Sequence, residues 1–250
     1  MSIHTILNGD FTAASALITF GAVLGKCSLF QLFGIASIHA ILYGLNRAII
    51  LEIFKANDAG GSMIIHVFGA SFGLAASLFY QKKAAIEDKE KMDNGNYLSD
   101  VISMIGTLFL FCYWPSFNAV ESAVFFKQRA IINTYLSLAT GVVAALIWSR
   151  FIYGKIEMEI ILNASIAGGV AMGCNADIIK APFGAMITGF ICATASSFCY
   201  GYVQPWVRKK NLFHDTCGVT YLHGIPGIIG GLTSAIMAAR ARDNFGDNYG

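Results

Sequence analysis

The chain has 250 residues, of which 56% are hydrophobic and 13% are charged, with a mean hydropathy of +0.60 and a formal net charge of +2. This composition is too apolar for a soluble domain of this size and indicates a polytopic membrane protein. The basic residues are scattered, so no nucleic-acid-binding surface is predicted.

Eight apolar segments of membrane length, or close to it, follow one another along the chain. A transmembrane helix needs about 20 apolar residues, and short connections between such segments are typical of an all-α, multi-pass helical bundle. The long exception is 81–96, where four Lys balance four acidic residues, and we predict a solvated loop between the halves of a single membrane domain covering 1–250. The predicted segments are 8–25, 29–52, 58–80, 98–119, 129–151, 158–174, 181–203 and 215–239.

The distribution of Lys and Arg predicts the orientation of these segments. With the N-terminus outside, most of the 17 basic residues fall on the cytosolic side, including Lys26 and the Lys residues of 81–96. The loop 81–96 is therefore predicted to be cytosolic. The third and eighth segments are then expected to cross the membrane in opposite directions.

The third and eighth segments contain the same spaced motif, in which Asp is followed by Gly three residues on, His eight on and Gly fifteen on. Such agreement indicates an internal duplication, and two copies in opposite orientations form the inverted repeat that transporters place around a midplane site. Each Asp stands where an apolar run begins, as a helix N-cap does, and each His lies about two turns further in, at membrane depth. The two copies are Asp58/Gly61/His66/Gly73 and Asp215/Gly218/His223/Gly230.

The two histidines allow a structural and a functional interpretation. A lone His in an apolar helix is most often a core residue bonded to a backbone carbonyl. Two histidines at matched positions of a repeat favour a function, because ionisable groups inside a membrane are costly and usually functional. A metal site would need further ligands, and neighbours such as Ile65 and Leu222 provide none, so neither a metal nor a cofactor is expected.

Four longer stretches give the sequence a specific resemblance. DAGGSMIIHVFGASFGL, SDVISMIGTLFLFCYWPSFNAV, NASIAGGVAMG and HDTCGVTYLHGIPGIIGG resemble the Rhesus (Rh) glycoprotein branch of the ammonium transporter family, in this order and at family-like separations, from about Asn8 to Ala239. The resemblance implies an ammonium transporter-like fold of about eleven or twelve helices, of which about eight are present, so the chain is expected to be truncated at both ends. It also implies a plasma-membrane protein that forms a homotrimer or a heterotrimer with related Rh proteins.

The same resemblance assigns the residues of a narrow pore in each protomer. His66 and His223 match two facing pore histidines, and Phe11 and Phe117 match two stacked phenylalanines that close the pore outside. Asn118, which follows Phe117 in the PSFNAV stretch, is assigned to the same pore. Without the family context, ordinary packing is the default interpretation of both Phe residues.

Acidic positions of the family are matched as well. Asp58 matches the residue that heads the first histidine helix, where it caps the helix and recruits ammonium. Asp100, Glu157 and Asp215 fall where the family has carboxylates toward the cytosol. Arg47 departs from the pattern, because family members can have an acidic residue near this outer position, and its charge repels ammonium by about 1 kcal/mol at most once screened.

The resemblance implies an ammonium/ammonia channel rather than an enzyme. A bare ammonium ion in hydrocarbon costs on the order of tens of kcal/mol, whereas loss of its proton costs about 1.4 kcal/mol per pH unit, so passage as neutral ammonia is favoured. The residues leave open whether ammonia, ammonium or carbon dioxide is conducted. The alternative function is a non-conducting scaffold or regulatory subunit that co-assembles with full-length Rh proteins, while an intramembrane hydrolase lacks a nucleophile and base at coupled spacing.

Overall fold

The chain folds as a bundle of helices. A computed structural model describes residues 2–80 and 95–244, and no strand occurs in these ranges. Residues 81–94 of the predicted loop lie outside the described residues, so its cytosolic position stays a prediction, as does the single domain over 1–250. The nine α-helices of the described ranges are α1 (Ile3–Val23), α2 (Leu29–Arg47), α3 (Phe68–Phe79), α4 (Tyr97–Ala119), α5 (Lys127–Tyr153), α6 (Met158–Met172), α7 (Pro182–Phe198), α8 (Gln204–Lys209) and α9 (Ile225–Asn244).

Wider π-helical turns extend or precede several of these helices. In a π-helical turn the backbone bonds run from residue i to residue i+5, so each such turn contains one more residue than an α-helical turn. Two of them lead into α3 and α9, the helices of the duplicated motif. The turns are Ala48–Ile53, Ser62–Val67, Cys199–Val203 and Thr220–Gly224, and a short 3₁₀ turn, Val124–Phe126, precedes α5.

Seven helical segments within the described residues are long and apolar enough to cross a membrane. The predicted segment 158–174 differs, because it forms the 15-residue α6, which at 1.5 Å per residue is only about 22 Å long. Every residue from Ala164 to Met172 is buried, so α6 is enclosed mainly by other helices and need not match the thickness of the lipid. The prediction of an all-α, multi-pass bundle is confirmed.

Short polar residues define where several helices begin. Ser28 accepts a hydrogen bond from the backbone N–H of Gln31, whose side chain accepts one from the N–H of Ser28, which makes a reciprocal capping box at α2. Asn96 and Ser99 form the same arrangement at α4. These caps satisfy N–H groups that have no partner within the helix.

Close contacts between small residues hold α5, α6 and α7 together. A Cβ atom added to Gly168 of α6 would lie 2.7 Å from the carbonyl oxygen of Ser137 in α5, and one added to Gly189 of α7 would lie 2.1 Å from it. The hydroxyl of Ser137 donates a hydrogen bond of 3.0 Å to the carbonyl of Gly168. Such close backbone approach is how helices associate in a membrane, where the hydrophobic effect between them is lost.

The two histidine segments lie against each other in opposite directions. A Cβ atom added to Gly231 would lie 3.3 Å from the sulfur of Met63. One added to Gly224, seven residues earlier in the chain, would lie 3.4 Å from Ala70, which comes seven residues after Met63. Later residues of the first segment therefore lie beside earlier residues of the second. This antiparallel crossing confirms the inverted arrangement of the duplicated motif.

Candidate functional site

The first glycine in each copy of the motif, three residues after the Asp, has a left-handed backbone conformation. Gly61 has φ +72° and Gly218 has φ +67°, a region that glycine adopts at little cost, and each residue is followed closely by a π-helical turn. The turn at Gly218 packs tightly, since an added Cβ would lie 2.4 Å from the Tyr200 ring. The two copies of the motif therefore share a positive φ at the first glycine and a π-helical turn after it, as well as the spacing of their residues.

The two aspartates bond to the turns that carry the histidines. One carboxylate oxygen of Asp58 accepts from the N–H groups of Met63 at 2.9 Å and Ile64 at 2.8 Å. Asp215 uses both oxygens, which accept from Val219 at 3.0 Å and Thr220 at 2.8 Å. Both carboxylates therefore satisfy N–H groups of a first helical turn, where negative charge is also favoured by the helix dipole.

Asp58 differs from the predicted N-cap in one respect. The N-cap position is Gly61, and Asp58 reaches the turn from three residues earlier because the positive φ of Gly61 folds the chain back. His66 consequently lies within the first turn of the histidine segment rather than two turns inside it. Burial raises the pKa of the Asp58 carboxyl to about 6, and the backbone N–H groups that it accepts from oppose this rise.

The structure brings His66 and His223 into direct contact. Their Nδ1 atoms are 3.1 Å apart, and the rings are parallel within 5° with centroids 5.1 Å apart. In a neutral pair one Nδ1 donates and the other accepts, so one ring presents an accepting Nε2 and the other presents an Nε2–H donor. Within the described residues, Nε2 of His66 is buried without a hydrogen-bond partner. The pair can therefore offer one donor and one acceptor to a third molecule.

Aromatic rings enclose the histidine pair on one side. Trp114 lies parallel to the His66 ring at 5.7 Å, and Phe117 lies 6.3 Å from the same ring. Phe117 in turn contacts Phe11, with centroids 5.0 Å apart. Phe11 is only 3% exposed, whereas Phe117 is half-buried. The two predicted gate residues are thus neighbours, and Phe117 joins them to the histidines.

A cavity of about 510 Å³ adjoins the pair, between α1 and α4. His66, His223, Trp114 and Phe117 line it together with mainly apolar side chains, among them Leu222. A molecule beside the imidazoles would meet their polar nitrogens on one side and hydrocarbon elsewhere. Such an environment favours small neutral molecules over ions.

Asn118 belongs to the wall of the site rather than to the lining of this cavity. It is fully buried, and its amide donates to Thr134 at 3.2 Å and to the carbonyl of Gly169 at 3.0 Å. Its carbonyl oxygen approaches Gly60 so closely that an added Cβ there would lie 2.3 Å away. Glycine is therefore required at position 60, two residues after Asp58.

The three carboxylates assigned to a vestibule do not form one cluster in the structure. Asp100 is half-buried in the first turn of α4 and shares a cavity of about 300 Å³ with Met158. Glu157, the neighbour of Met158, pairs with Lys155 at 3.0 Å. Asp215 is bonded to its own helical turn instead. Asp100 and Glu157 thus lie near each other at the start of α4 and α6.

Lys26 links the end of α1 to the loop of the second motif, a role that sequence reasoning missed. Its buried ammonium donates to the hydroxyl of Ser77 at 3.0 Å and to the carbonyl of His214 at 2.5 Å. Thr216 and Cys217 extend this link, because their N–H groups donate to carbonyls of α1. Nothing in the local sequence of Lys26 indicates a contact with residues so distant in the chain.

His39 is a third histidine inside the bundle, and sequence reasoning missed it as well. It is fully buried in α2, and its Nδ1 lies 3.1 Å from the hydroxyl of Thr19. That hydroxyl donates to the carbonyl of Gly69, three residues after His66, so it accepts from Nδ1–H of His39. An ionisable residue within the apolar run 29–52 is the signal that could have found it.

Metal ligation is not supported by this geometry. Among the described residues, no group of three or more His, Cys, Asp or Glu side chains could hold a metal ion. The histidine pair itself is surrounded by aromatic and aliphatic groups. Its chemistry is that of two hydrogen-bonding imidazoles.

Known proteins share both the sequence and the fold of this chain. The sequence profile of the Ammonium Transporter Family matches residues 1–249. Ammonium transporter Rh type C of Homo sapiens is 44% identical over 244 residues, which cover 96% of this chain and 51% of that protein. The Xenopus tropicalis protein of the same name is 42% identical over 246 residues, which cover 97% and 52%. The chain spans about half the length of the curated relatives it matches.

A solved structure agrees with these matches. It is that of Rh50 from Nitrosomonas europaea, described with the mechanism of conduction by the Rhesus protein family of channels. It aligns with a TM-score of 0.90 at 32% identity, covering 95% of this chain and 63% of that one. The relatives are named as transporters and channels rather than as enzymes. The chain therefore belongs to the Ammonium Transporter Family, on its Rh branch, and is a multi-pass membrane protein.

Proposed function

We propose that this chain is an Rh-type ammonium/ammonia channel in which neutral ammonia passes the His66–His223 pair. The observation that supports the proposal most directly is the Nδ1–Nδ1 contact of 3.1 Å beside an apolar cavity. Ammonia both donates and accepts hydrogen bonds, and the pair offers one group of each kind. The hydrocarbon around the imidazoles excludes ions, since an unsolvated ammonium ion is far more costly there than neutral ammonia.

The proton of ammonium is lost before this point. Removing it costs about 1.4 kcal/mol per pH unit, a small fraction of the cost of burying the ion. Two imidazolium rings in contact would repel strongly in a medium of low dielectric constant, so the pair holds at most one proton at a time. A pair that shares one proton can also pass it from one ring to the other. The same pair could therefore serve a mechanism in which ammonia and the proton cross the membrane separately.

Asp58 recruits the cation before deprotonation in this proposal. Burial raises the pKa of its carboxyl to about 6, so the group is still charged at neutral pH. Phe11 and Phe117 form the outer constriction, and Asn118 supports it from the buried side. Asp100, Glu157 and Asp215 are proposed as the acidic groups at the opposite, cytosolic end.

The assembly is proposed to be a plasma-membrane homotrimer or a heterotrimer with related Rh proteins.

The second candidate function is a non-conducting scaffold or regulatory subunit, and one observation favours it. Among the described residues, the cavity beside the histidines opens between α1 and α4, where Leu17 is 66% exposed and Tyr113 is 58% exposed, so these residues alone do not form a sealed pore. Carbon dioxide is a second gas that the apolar cavity would admit.

Flux measurements on variants test the proposal. The chain is reconstituted in vesicles, alone and with an Rh relative, and internal pH and current are recorded together across an imposed ammonium gradient. Replacing His66 or His223 with Ala should abolish selective ammonia flux or convert it into a leak insensitive to pH. His66→Glu should make methylammonium flux electrogenic, because a fixed negative charge invites cations. If both Ala variants conduct with unchanged selectivity and pH dependence, the proposed role of the pair is wrong.

A further inference from the structure

We propose that His39 is a positioning residue, which holds the helical turn of His66 at the distance that its contact with His223 requires. It acts through the hydroxyl of Thr19 and the carbonyl of Gly69. The inference rests on the proposed function in one respect, namely that the histidine pair is the contact point for ammonia. It adds a residue of α2 that does not line the cavity of the pair.

Two hydroxyl groups of α1 hold the backbone on either side of His66. Ser15 donates to the carbonyl oxygen of Ile65 at 3.0 Å, and Thr19 donates to that of Gly69 at 2.9 Å. The two helices touch at this level, because a Cβ atom added to Gly69 would lie 2.8 Å from the carbonyl oxygen of Ser15. The turn that carries His66 is therefore bonded to α1 one residue before and three residues after the histidine.

The Thr19 hydroxyl has a choice of two acceptors. A threonine within a helix can donate to the carbonyl oxygen four residues earlier in the same helix. Thr12 and Thr188 do so, at 2.8 Å and 2.9 Å. For Thr19 that acceptor would be the carbonyl of Ser15, but its hydroxyl donates to Gly69 of α3 instead. A group outside α1 is needed to favour this direction.

His39 supplies that group from α2. Its Nδ1 lies 3.1 Å from the Thr19 oxygen, which accepts from Nδ1–H because the hydroxyl hydrogen is directed to Gly69. The imidazole thus occupies one lone pair of the hydroxyl and leaves its hydrogen pointing across to α3. Hydrogen bonds in such a chain also polarise and strengthen one another in a medium of low dielectric constant.

The burial of His39 has a cost that packing alone does not explain. The ring is fully buried beside Phe68 and Phe72, whose centroids are each 5.1 Å away. Its Nε2 is buried and has no hydrogen-bond partner among the described residues. An unpaired buried nitrogen is destabilising, and a Phe side chain would make the same ring contacts without it. The bond made by Nδ1 accounts for a histidine at this position.

The contact between His66 and His223 is sensitive to small displacements. Their Nδ1 atoms are 3.1 Å apart, near the upper end of the range for a hydrogen bond. A shift of about 0.5 Å lengthens the contact to about 3.6 Å, at which a hydrogen bond no longer exists. If Thr19 turns to the carbonyl of Ser15, Gly69 loses its partner and the turn of His66 loses one of its two bonds to α1.

NMR of the full chain with ¹⁵N-labelled histidine, in lipid bilayers, tests the inference without measuring flux. The coupling between the two Nδ1 atoms across the His66–His223 hydrogen bond reports the geometry of the pair, and its loss in His223→Ala assigns the signal. In the unmodified chain we expect this coupling, and we expect His39 to carry its proton on Nδ1. A proton on Nε2 of His39 instead would overturn the inference.

Two substitutions of His39 separate positioning from packing. His39→Phe keeps the ring contacts and removes the unpaired nitrogen, so we expect equal or higher thermal stability, loss of the coupling and about tenfold lower ammonia flux per folded protein. His39→Asn places an amide N–H where Nδ1–H was but removes the ring, so we expect lower stability with the coupling retained. Thr19→Val should also lose the coupling. Thr12→Val removes a hydroxyl that is bonded only within α1 and should retain it.

The outcomes separate this inference from the proposed function. Unchanged coupling in His39→Phe and Thr19→Val, or coupling that follows stability through all four variants, would overturn the inference, and normal ammonia flux would then leave the channel standing. Coupling lost in His39→Phe and retained in His39→Asn would support it, even in vesicles that do not conduct, where the proposed function would fail instead. Absence of the coupling in the unmodified chain would overturn both. If His39→Phe does not fold, the comparison of Thr19→Val with Thr12→Val decides in the same way.

Discussion

Lowering the pH should stabilise the protein through Asp58. The carboxyl is 5% exposed, and its second oxygen is buried without a partner among the described residues, so burial dominates over the bonds from Met63 and Ile64. Its folded pKa of about 6 lies above the value of about 4 expected in an unfolded chain. The folded state therefore binds more protons between these values, and stability rises as the pH falls from 7 to 4.

The size of the effect follows from the same shift. A difference of about two pKa units, each worth about 1.4 kcal/mol, gives about 3 kcal/mol. Asp58→Asn keeps an oxygen that can accept from the same N–H groups but does not titrate. The unfolded chain binds the same proton near pH 4, so the full difference is reached only below that pH. We therefore expect the unfolding free energy of the unmodified chain, relative to Asp58→Asn, to increase by about 2.5 kcal/mol between pH 7.5 and pH 4, with most of the change near pH 5.

Denaturant unfolding in detergent or bicelles at several pH values measures this difference. Asp10→Asn removes a carboxylate from an exposed position of α1 and serves as the control for loss of charge. A flat difference across the pH range would show that burial does not perturb Asp58. A difference that falls with falling pH would show that the backbone bonds outweigh desolvation, and the reasoning would then be refuted.

Two further substitutions test the gate and the helix packing. Phe117→Ala should change the ratio of methylamine to ammonia flux more than it changes stability, because the half-buried ring loses fewer contacts than a core ring, whose removal costs about 3–5 kcal/mol. Flux normalised to folded protein in the membrane separates the two effects. Gly189→Ala should destabilise the bundle by about 1–3 kcal/mol, because its Cβ would lie 2.1 Å from the Ser137 carbonyl. Thermal unfolding in detergent measures this loss.

Each substitution has a matched control in the chain. Phe11→Ala removes the partner ring of Phe117, but from a position 3% exposed, and should cost the full amount expected for a core Phe. Equal losses of stability in Phe11→Ala and Phe117→Ala would show that Phe117 is a packing residue rather than a gate residue. Gly34→Ala adds a Cβ with no atom within 4 Å and should stabilise α2 by about 0.5–1 kcal/mol. The packing account fails if Gly34→Ala and Gly189→Ala shift stability in the same direction.

The parts of the site that depend on sequence spacing could be predicted, whereas those that depend on distant contacts could not. His66 lies eight positions after Asp58, and His223 lies eight positions after Asp215. This repetition, together with the predicted topology, sufficed to place the two histidines in equivalent, antiparallel segments. Their direct contact also fits that symmetry. The link from Lys26 to His214 joins residues 188 positions apart, and no local pattern indicates it.

Local propensity also failed where tertiary contacts decide the conformation. The apolar run 158–174 gave no sign that α6 would end at Met172 or be enclosed by other helices. α6 is enclosed because its small residues, such as Gly168, allow the backbones of neighbouring helices to approach closely and to take the place of lipid. The role of His39 was missed for a similar reason, since its partner Thr19 belongs to another helix.

The π-helical turns at Ser62–Val67 and Thr220–Gly224 restrict changes of length in the two motifs. Deleting one residue from such a turn would restore α-helical bonding but rotate the preceding residues by about 100° relative to those that follow. Either the aspartate would lose its N–H groups or the histidine would turn away from its partner. Substitutions have no such effect, and the two copies differ at most positions between Asp and His while keeping the same spacing. Insertions and deletions should therefore be far less tolerated here than substitutions.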